Sequence, residues 1–389
     1  MPANIVIVSA RRTAIGSFQG QFAPVKSSDL GAAAIRAAVS DAGVSGDEVS
    51  EVIMGCVLPA GVGQAPARQA ALGADLPVAT GCTTINKVCG SGMKALMQAH
   101  DAIAAGSSDI VVAGGMESMT NAPYMMNRGL RMGHVQALDH MFFDGLQNPY
   151  DGQLMGPFGE KCAARFEFSR EAQDAYARSS VERAMAALES GTFRSEIAPV
   201  TVRTRKGEVE IMDDEEPPRC RIEKMPSLRP AFAKDGTITA ASSSKISDGA
   251  AALVLMSAEQ AEQRGTKPLA RIVAHTTQSQ EPEWFTTAPI GALQKLFDAT
   301  GWSADEVDLF EINEAFAVVT MAAMQELNLP HDKVNVNGGA CALGHPIGAT
   351  GARIVVTLLH ALEQRGGRRG MAALCIGGGE ATAVAVERL

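Results

Sequence analysis

Four stretches of this chain place reactive side chains beside exposed backbone amides. In Asn86-Lys87-Val88-Cys89-Gly90-Ser91-Gly92-Met93 a cysteine sits on a glycine-rich bend just ahead of an amphipathic helical pattern. A helix N-terminus offers unpaired N–H groups and the positive end of the helix dipole, so this position favours a thiolate nucleophile. The stretch Asn337-Gly338-Gly339-Ala340-Cys341-Ala342-Leu343-Gly344-His345-Pro346-Ile347-Gly348 carries a histidine on a Gly- and Pro-containing loop, available as a base. Cys375, in Cys375-Ile376-Gly377-Gly378-Gly379, ends an apolar run beside glycines whose N–H groups can come close to a ligand. Asn313 and Glu314, in Asn313-Glu314-Ala315-Phe316-Ala317, are read as the start of an apolar helix after the strand Leu309 to Ile312. Singly, each has an ordinary structural explanation: the cysteines as small buried hydrophobes, the histidine as a hydrogen-bonding residue, the asparagine as a cap.

The elements that must position these groups follow from the hydrophobic pattern. Short apolar runs (Ile5 to Val8, Ile110 to Ala113, Leu253 to Met256, Ala372 to Ile376) alternate with longer helical periodicities, which predicts an α/β protein of buried strands layered with helices. Two distant stretches share one plan of Gly-rich loop, helix, Gly or Ser break, strand, and Gly-Gly turn closing with Glu. The first runs from Gly90 through a helix to about Ala105, the strand Ile110 to Ala113 and Gly114-Gly115-Met116-Glu117. The second runs from Gly348 through a helix to about Gln364, the strand Met371 to Ile376 and Gly377-Gly378-Gly379-Glu380. Met93, Leu96, Met97 and His100 share one helical face, as do Ile354, Val355, Leu358, Leu359 and Leu362. Cys89 and His345 thus lie on corresponding loops of two similar halves. Between the halves, Asn121 to Gly159 and Pro199 to Ser247 read as an inserted loop region covering a site, interrupted by one helix from about Ser169, its N-cap, to Ser190.

Composition narrows the partners. A formal charge of -9 over 389 residues gives no global attraction to nucleic acid or an anionic membrane, and Gly and charged residues interrupt every apolar stretch before membrane-spanning length. Seven cysteines with no C-x-x-C pair argue against a disulfide framework and a structural zinc site, and fit a reducing cytoplasm. No metal cluster or dinucleotide fingerprint is evident.

The motifs C-G-S-G, N-E-A-F-A, G-H-P-I-G and C-I-G-G-G, in this order and over essentially the whole chain, resemble those of the thiolase family. The resemblance implies a Claisen condensation of two acetyl-CoA to acetoacetyl-CoA, or its reversal by thiolysis, through an acyl-cysteine. Cys89 would be the nucleophile and His345 would take its proton. Cys375 would exchange the α-carbon proton, and Asn313 would fix a water that shares an oxyanion hole with His345. The N–H groups of Cys89 and Gly377 would make the other oxyanion hole. Two half-reactions suit this chemistry, because one nucleophile cannot supply both an acyl electrophile and a stabilised enolate.

By the same resemblance coenzyme A thioesters are substrates, with no permanently bound cofactor and no catalytic metal. Ser244 would contact the pantetheine arm; Leu154, Met155 and Phe316 would line the acyl and pantetheine pocket; Arg219, Arg221 and Lys224 are candidates for the nucleotide phosphates. The chain departs from the family pattern at Lys245, where Gly is frequent, at Glu380, at Cys341, and at Leu154, where short-chain members often have His. A broader-range degradative 3-ketoacyl-CoA thiolase is the alternative. Condensing enzymes acting on acyl carrier protein pair the nucleophile with a second His or with Asn instead of a second Cys, and a non-enzymatic acyl-CoA carrier would have lost the nucleophile.

The implied architecture is a duplicated, layered αβαβα fold. Its N-terminal half spans 1–120 and is completed by 246–268, a loop domain spans 121–245, and the C-terminal half spans 269–389. A homodimer or homotetramer is expected, with Leu130 to Leu146 as a tetramer contact.

Overall fold

The computed structural model describes residues 4–129 and 131–389. One large mixed sheet contains β1 (Ile5–Thr13), β2 (Glu51–Gly55), β3 (Gly81–Ile85), β4 (Ile110–Ser118), β5 (Ser247–Ser257), β6 (Ala270–Ser279), β7 (Leu309–Ile312), β8 (Arg369–Ile376) and β9 (Glu380–Arg388). Their order is β7-β8-β9-β6-β1-β5-β4-β2-β3. This is one four-strand pattern used twice, since β1, β2, β4 and β5 match β6, β7, β8 and β9 in chain order and neighbours. The sense of each pairing matches too. It is parallel at β2–β4 and β7–β8, and antiparallel at β4–β5 and β8–β9 and again at β1–β5 and β6–β9. The copies join through a short antiparallel pairing of β1 with β6, Val6 opposite Arg271 and Ile7 opposite Ala270.

Helices α1 (Ser27–Asp41) and α2 (Pro66–Gly73) cover the outer face of the first half. Helices α3 (Ser91–Ala104), α4 (Met155–Arg165), α5 (Arg170–Glu189), α6 (Ala288–Thr300), α7 (Ala317–Leu327) and α8 (Thr350–Arg365) follow in sequence. Strand residues alternate between layers: Val6 and Val8 pack with α1, while Ile5 and Ile7 pack with α3 and α8. In the second half Ala372 and Leu374 face α3 and α8, whereas Met371 and Ala373 face α6. Strands apolar on both faces are why the sequence shows unbroken apolar runs and not a two-residue alternation. The layers are therefore α1 and α2, the first half-sheet, α3 and α8, the second half-sheet, and α6 and α7. Met93, Leu96, Ile354, Leu358 and Leu362, all fully buried, form the central seam. Each such side chain contributes about 1.5–3 kcal/mol. The first turns of α3 and α8 cross so closely that a Cβ on Gly92 would lie 2.8 Å from the Ala352 amide nitrogen, which accounts for glycine there.

Three local expectations change. Gly114 to Glu117 is not a turn but the continuation of β4, paired with β5; only the second copy turns, at Gly377 to Gly379, into β9. Asn313 and Glu314 do not begin a helix: they lie on the connection between β7 and α7, whose N-cap is Phe316. Among the described residues the inserted region has two α-helices, not one, because α4 precedes α5. The expected cap of α5 is present, with Ser169 accepting from the Ala172 N–H.

Candidate active site

The Cys89 loop is rigid by its own side chains. Asn86 Oδ1 accepts from the Val88 N–H at 2.8 Å, and Ser91 Oγ accepts from the Lys87 N–H at 2.8 Å while donating to the Val88 carbonyl at 2.7 Å. These bonds hold Val88 in the left-handed region (φ 46°), a strained conformation for a β-branched residue, and so lift Cys89 to the head of α3. Its sulfur is faced by the N–H groups of Gly377 and of Cys89 itself. Burial nevertheless dominates and raises the thiol to about 11, with the Glu117 carboxyl adding to the rise. The amides that favour a thiolate thus act against the burial that favours the thiol, and a neighbouring base would complete the ionisation.

His345 meets the requirements of that base. Its N–H donates to the Lys245 carbonyl at 3.0 Å, and its Nδ1 lies 2.7 Å from Thr350 Oγ1. The single Thr350 hydroxyl proton is directed to the Pro346 carbonyl at 2.9 Å. Thr350 therefore accepts from Nδ1–H, which leaves Nε2 as the lone-pair nitrogen. That Nε2 is buried without a hydrogen-bond partner among the described residues, and His345 lines an apolar cleft. Burial, aided by Arg353, lowers the imidazole to about 3, so it is neutral. Glu117 accepts from the N–H groups of Gly348, Val57 and Leu58 at 2.9, 2.9 and 3.2 Å, fixing the far end of the histidine loop.

Cys375 ends β8 fully buried; burial first, then proximity to Cys89, raises its thiol well above the ordinary value. Asn313 donates its N–H to the Ala373 carbonyl at 3.0 Å, and both of its side-chain polar atoms are buried without partners among the described residues. A buried amide in that state costs free energy unless a ligand or water satisfies it. Its neighbour Glu314 is a clamp, accepting from Tyr176 and Ser180 of α5, from Asn335, and from the Cys341 N–H.

A cleft of about 200 Å³ is walled by Leu154, Met155, Phe232, Ser244, Phe316 and His345. A second recess of about 460 Å³ reaches Val88, Gly377 and Gly378, with Met155 shared between the two. Cys89 packs against the cluster that contains Ile347, Leu58 and Met141, and Cys375 belongs to the cluster of Phe316 and Phe158 against which Phe232 and Met155 pack. Ser244 and Phe316 are brought together because the Ser244 N–H bonds the Ala315 carbonyl and the Ala317 N–H bonds the Ser242 carbonyl. Arg219, Arg221 and Lys224 are not brought to this lining. All three are exposed, Arg219 and Lys224 on short 3₁₀ segments and Arg221 just ahead of the second, with Arg219 pairing with Glu215 at 3.1 Å. The sequence does not mark Thr350, Glu117 or Lys245 as site residues and offers Glu314 only as part of the N-E-A-F-A stretch, although a Thr five places after His345, at the head of α8, is a usable signal. Two departures also meet the site: the Lys245 ammonium bonds the Ala240 and Ser243 carbonyls at the cleft, and Glu380 pairs with Lys87.

Residues 5–259 match the thiolase N-terminal domain and residues 266–388 the thiolase C-terminal domain. The chain belongs to the thiolase family. An acetyl-CoA acetyltransferase of Chromobacterium violaceum is 49% identical over 99% of this chain and 100% of its own length. The mitochondrial acetyl-CoA acetyltransferase of Bos taurus is 47% identical over 99% of this chain and 92% of its own. Among solved structures, an Ascaris suum thiolase in complex with coenzyme A superposes with a TM-score of 0.95 at 43% identity, covering 99% of this chain and 100% of the other. The Bacillus anthracis acetyl-CoA acetyltransferase gives 0.97 at 41%, covering 100% and 99%. The thiolase fold's two halves are thus the two copies seen here, and no helix among the described residues is long and apolar enough to cross a membrane.

Proposed function

We propose that this thiolase is an acetyl-CoA C-acetyltransferase, condensing two acetyl-CoA to acetoacetyl-CoA and CoA and running thiolysis in reverse. The observation that carries the reading is His345 on the cleft wall with a buried Nε2 that has no partner among the described residues, beside a recess that reaches Val88 and Gly377, the neighbour of Cys89 and the residue whose amide faces its sulfur. His345 Nε2 takes the Cys89 proton as sulfur attacks the thioester carbonyl, and the N–H groups of Cys89 and Gly377 hold the oxyanion. CoA leaves as its thiol with the proton of Cys375, and the Cys375 thiolate so formed removes an α-proton from the second acetyl-CoA, with the enolate oxygen held by protonated His345 and a water on Asn313. The enolate carbon then attacks the acyl-Cys89 carbonyl, His345 returns its proton to the departing Cys89 sulfur, and acetoacetyl-CoA is released.

Ser244, Phe316, Met155 and Leu154 receive the pantetheine arm and acyl group, which the apolar cleft suits. Residues 121–245 act as a loop domain over the coenzyme A site, between an N-terminal half 1–120 with 246–268 and a C-terminal half 269–389. Arg219, Arg221 and Lys224 remain candidates for phosphate contacts only through side-chain movement from their exposed positions. Coenzyme A thioesters are the substrates, and no permanent cofactor is required. Free thiols at all seven cysteines suit a reducing compartment such as the cytoplasm. The exposed Met132 and Phe143 support a homotetramer contact in 131–146; Leu130 lies outside the described residues. The test is thiolysis of acetoacetyl-CoA, 2-methylacetoacetyl-CoA and long 3-oxoacyl thioesters by the purified chain. A higher kcat/KM for a 3-oxohexadecanoyl thioester than for acetoacetyl-CoA would favour the broad-range degradative reading.

A further inference from the structure

Away from the cleft, His100 and Asp101 near the end of α3 approach His275 on β6. Three atoms form a triangle: His275 Nε2 lies 3.2 Å from His100 Nδ1 and 3.0 Å from Asp101 Oδ1, and His100 Nδ1 lies 3.1 Å from Asp101 Oδ1. The rings are nearly perpendicular, at 83° with centroids 4.9 Å apart. The side chains of His100, Asp101 and His275 are 22%, 57% and 18% exposed, so water reaches the triangle.

Hydrogen atoms cannot satisfy all three edges while the carboxylate is ionised. If both facing nitrogens carry hydrogen, the His–His edge sets donor against donor; if only one does, the other nitrogen turns a lone pair toward the carboxylate. A cation at the centre makes every edge favourable. Ligands at the usual zinc distances of about 2.0–2.1 Å stand about 3.3–3.4 Å apart in a tetrahedron, close to the spacing observed.

We propose that His100, Asp101 and His275 bind one divalent transition-metal ion of the zinc class, completed by water, fastening α3 of the first half to β6 of the second. Imidazole and carboxylate donors suit Zn²⁺, Co²⁺ and Ni²⁺. The site lies three turns along α3 from Cys89, so the ion is structural and takes no part in acyl transfer. Lys94, on the same helix, adds an opposing positive charge at His275 and limits affinity without competing for a ligand atom. The sequence hides the site, because 174 residues separate Asp101 from His275.

The test is Co²⁺ titration of chelator-stripped Cys89→Ala protein, which removes the half-buried candidate nucleophile as a competing thiol. The expected result is one Co²⁺ per chain with the intense visible bands of a tetrahedral nitrogen and oxygen site and no near-ultraviolet sulfur band. His100→Ala and His275→Ala each lower the affinity at least about tenfold. Zn²⁺ raises the Tm of the parent by about 2–5 °C and leaves the variants unmoved. Circular dichroism verifies folding, and His100→Gln replaces any variant that fails it. Binding unchanged in the variants, a sulfur charge-transfer band, a Tm indifferent to Zn²⁺, or no binding up to about 1 mM overturns the proposal.

Discussion

The loops that feed α3 and α8 hold corresponding places in the two halves, yet they secure their reactive groups by different means. The Cys89 loop is a short bend braced internally by Asn86, Ser91 and a left-handed Val88. The histidine loop, buried throughout residues 335–349, is braced from outside: by Glu314 at Cys341, by the Lys245 carbonyl at His345, and by Glu117 at Gly348. A nucleophile at a helix head can be placed by local backbone geometry alone. The histidine loop draws its support from the opposite half and from the insertion, so it depends on the whole fold.

The largest effect that would break this division is at Cys89. Replacement by Ala should leave the bend and fold intact while removing acylation and turnover together; an acetyl adduct in intact-protein mass spectrometry of Cys89→Ala would place the nucleophile elsewhere. Next comes Cys375→Ala, where the nucleophile, its amides and His345 all remain. Acetyl transfer to Cys89 should persist and the acetyl-enzyme accumulate, while condensation falls by about 10²–10⁴-fold, the usual contribution of an acid/base group. Deuterium exchange at the α-carbon of acetyl-CoA should fall in parallel, and near-normal condensation would make Cys375 a structural cysteine.

A smaller effect sharpens the outside bracing. Thr350→Val keeps the shape but removes the acceptor of Nδ1–H, freeing the other tautomer of His345. The acylation rate should fall about tenfold or more with little change in KM, and Thr350→Ser should restore it. Equal loss in both variants would show that packing, not the hydrogen bond, matters at this position.

The smallest effect is on pH-dependent stability. Burial raises Glu117 to about 7 against the competing pull of its amide donors. Its folded value exceeds its unfolded one of 4.5, so the folded state holds the extra proton between those values. That contribution is complete below about 4.5 and is lost as pH rises through about 7. Glu117→Gln should accordingly flatten the decline in Tm between about pH 5 and 8. His345, lowered to about 3, acts with the opposite sign, costing stability as pH falls below its ordinary value of 6.5. A Glu117→Gln melting curve parallel to that of the parent would remove Glu117 from this role.

Much of the fold was readable because buried strands and amphipathic helices write their periods into the chain, and because the plan occurs twice. Leu358 and Met93 are core in the structure for the same reason that their spacing marks a helix face. Local rules misled where tertiary pairing overrode them: Gly114 and Gly115 resemble a turn but are held in β4 by β5, and Asn313 resembles a cap but sits before an extended Phe316. The Cys89 bend was visible, but its left-handed Val88 was not, since nothing in a valine announces positive φ. Groups acting over long separations were invisible. Glu117 and Gly348 are 231 positions apart, and Arg219, Arg221 and Lys224, candidates for the nucleotide phosphates by resemblance alone, are exposed and outside the cleft lining.

The insertion between Ser118 and Ser247 leaves and re-enters the sheet on adjacent antiparallel strands, with Ser118 opposite Asp248. Its two ends are therefore pinned side by side, and its length is decoupled from the register of the halves. Residues lost or gained inside it are absorbed without shifting the strand register. The cleft wall at Leu154, Met155 and Phe232 belongs to this excursion, so its shape can drift through lineages by edits that keep the braces the same excursion lends the histidine loop, Tyr176, Ser180 and the Lys245 carbonyl.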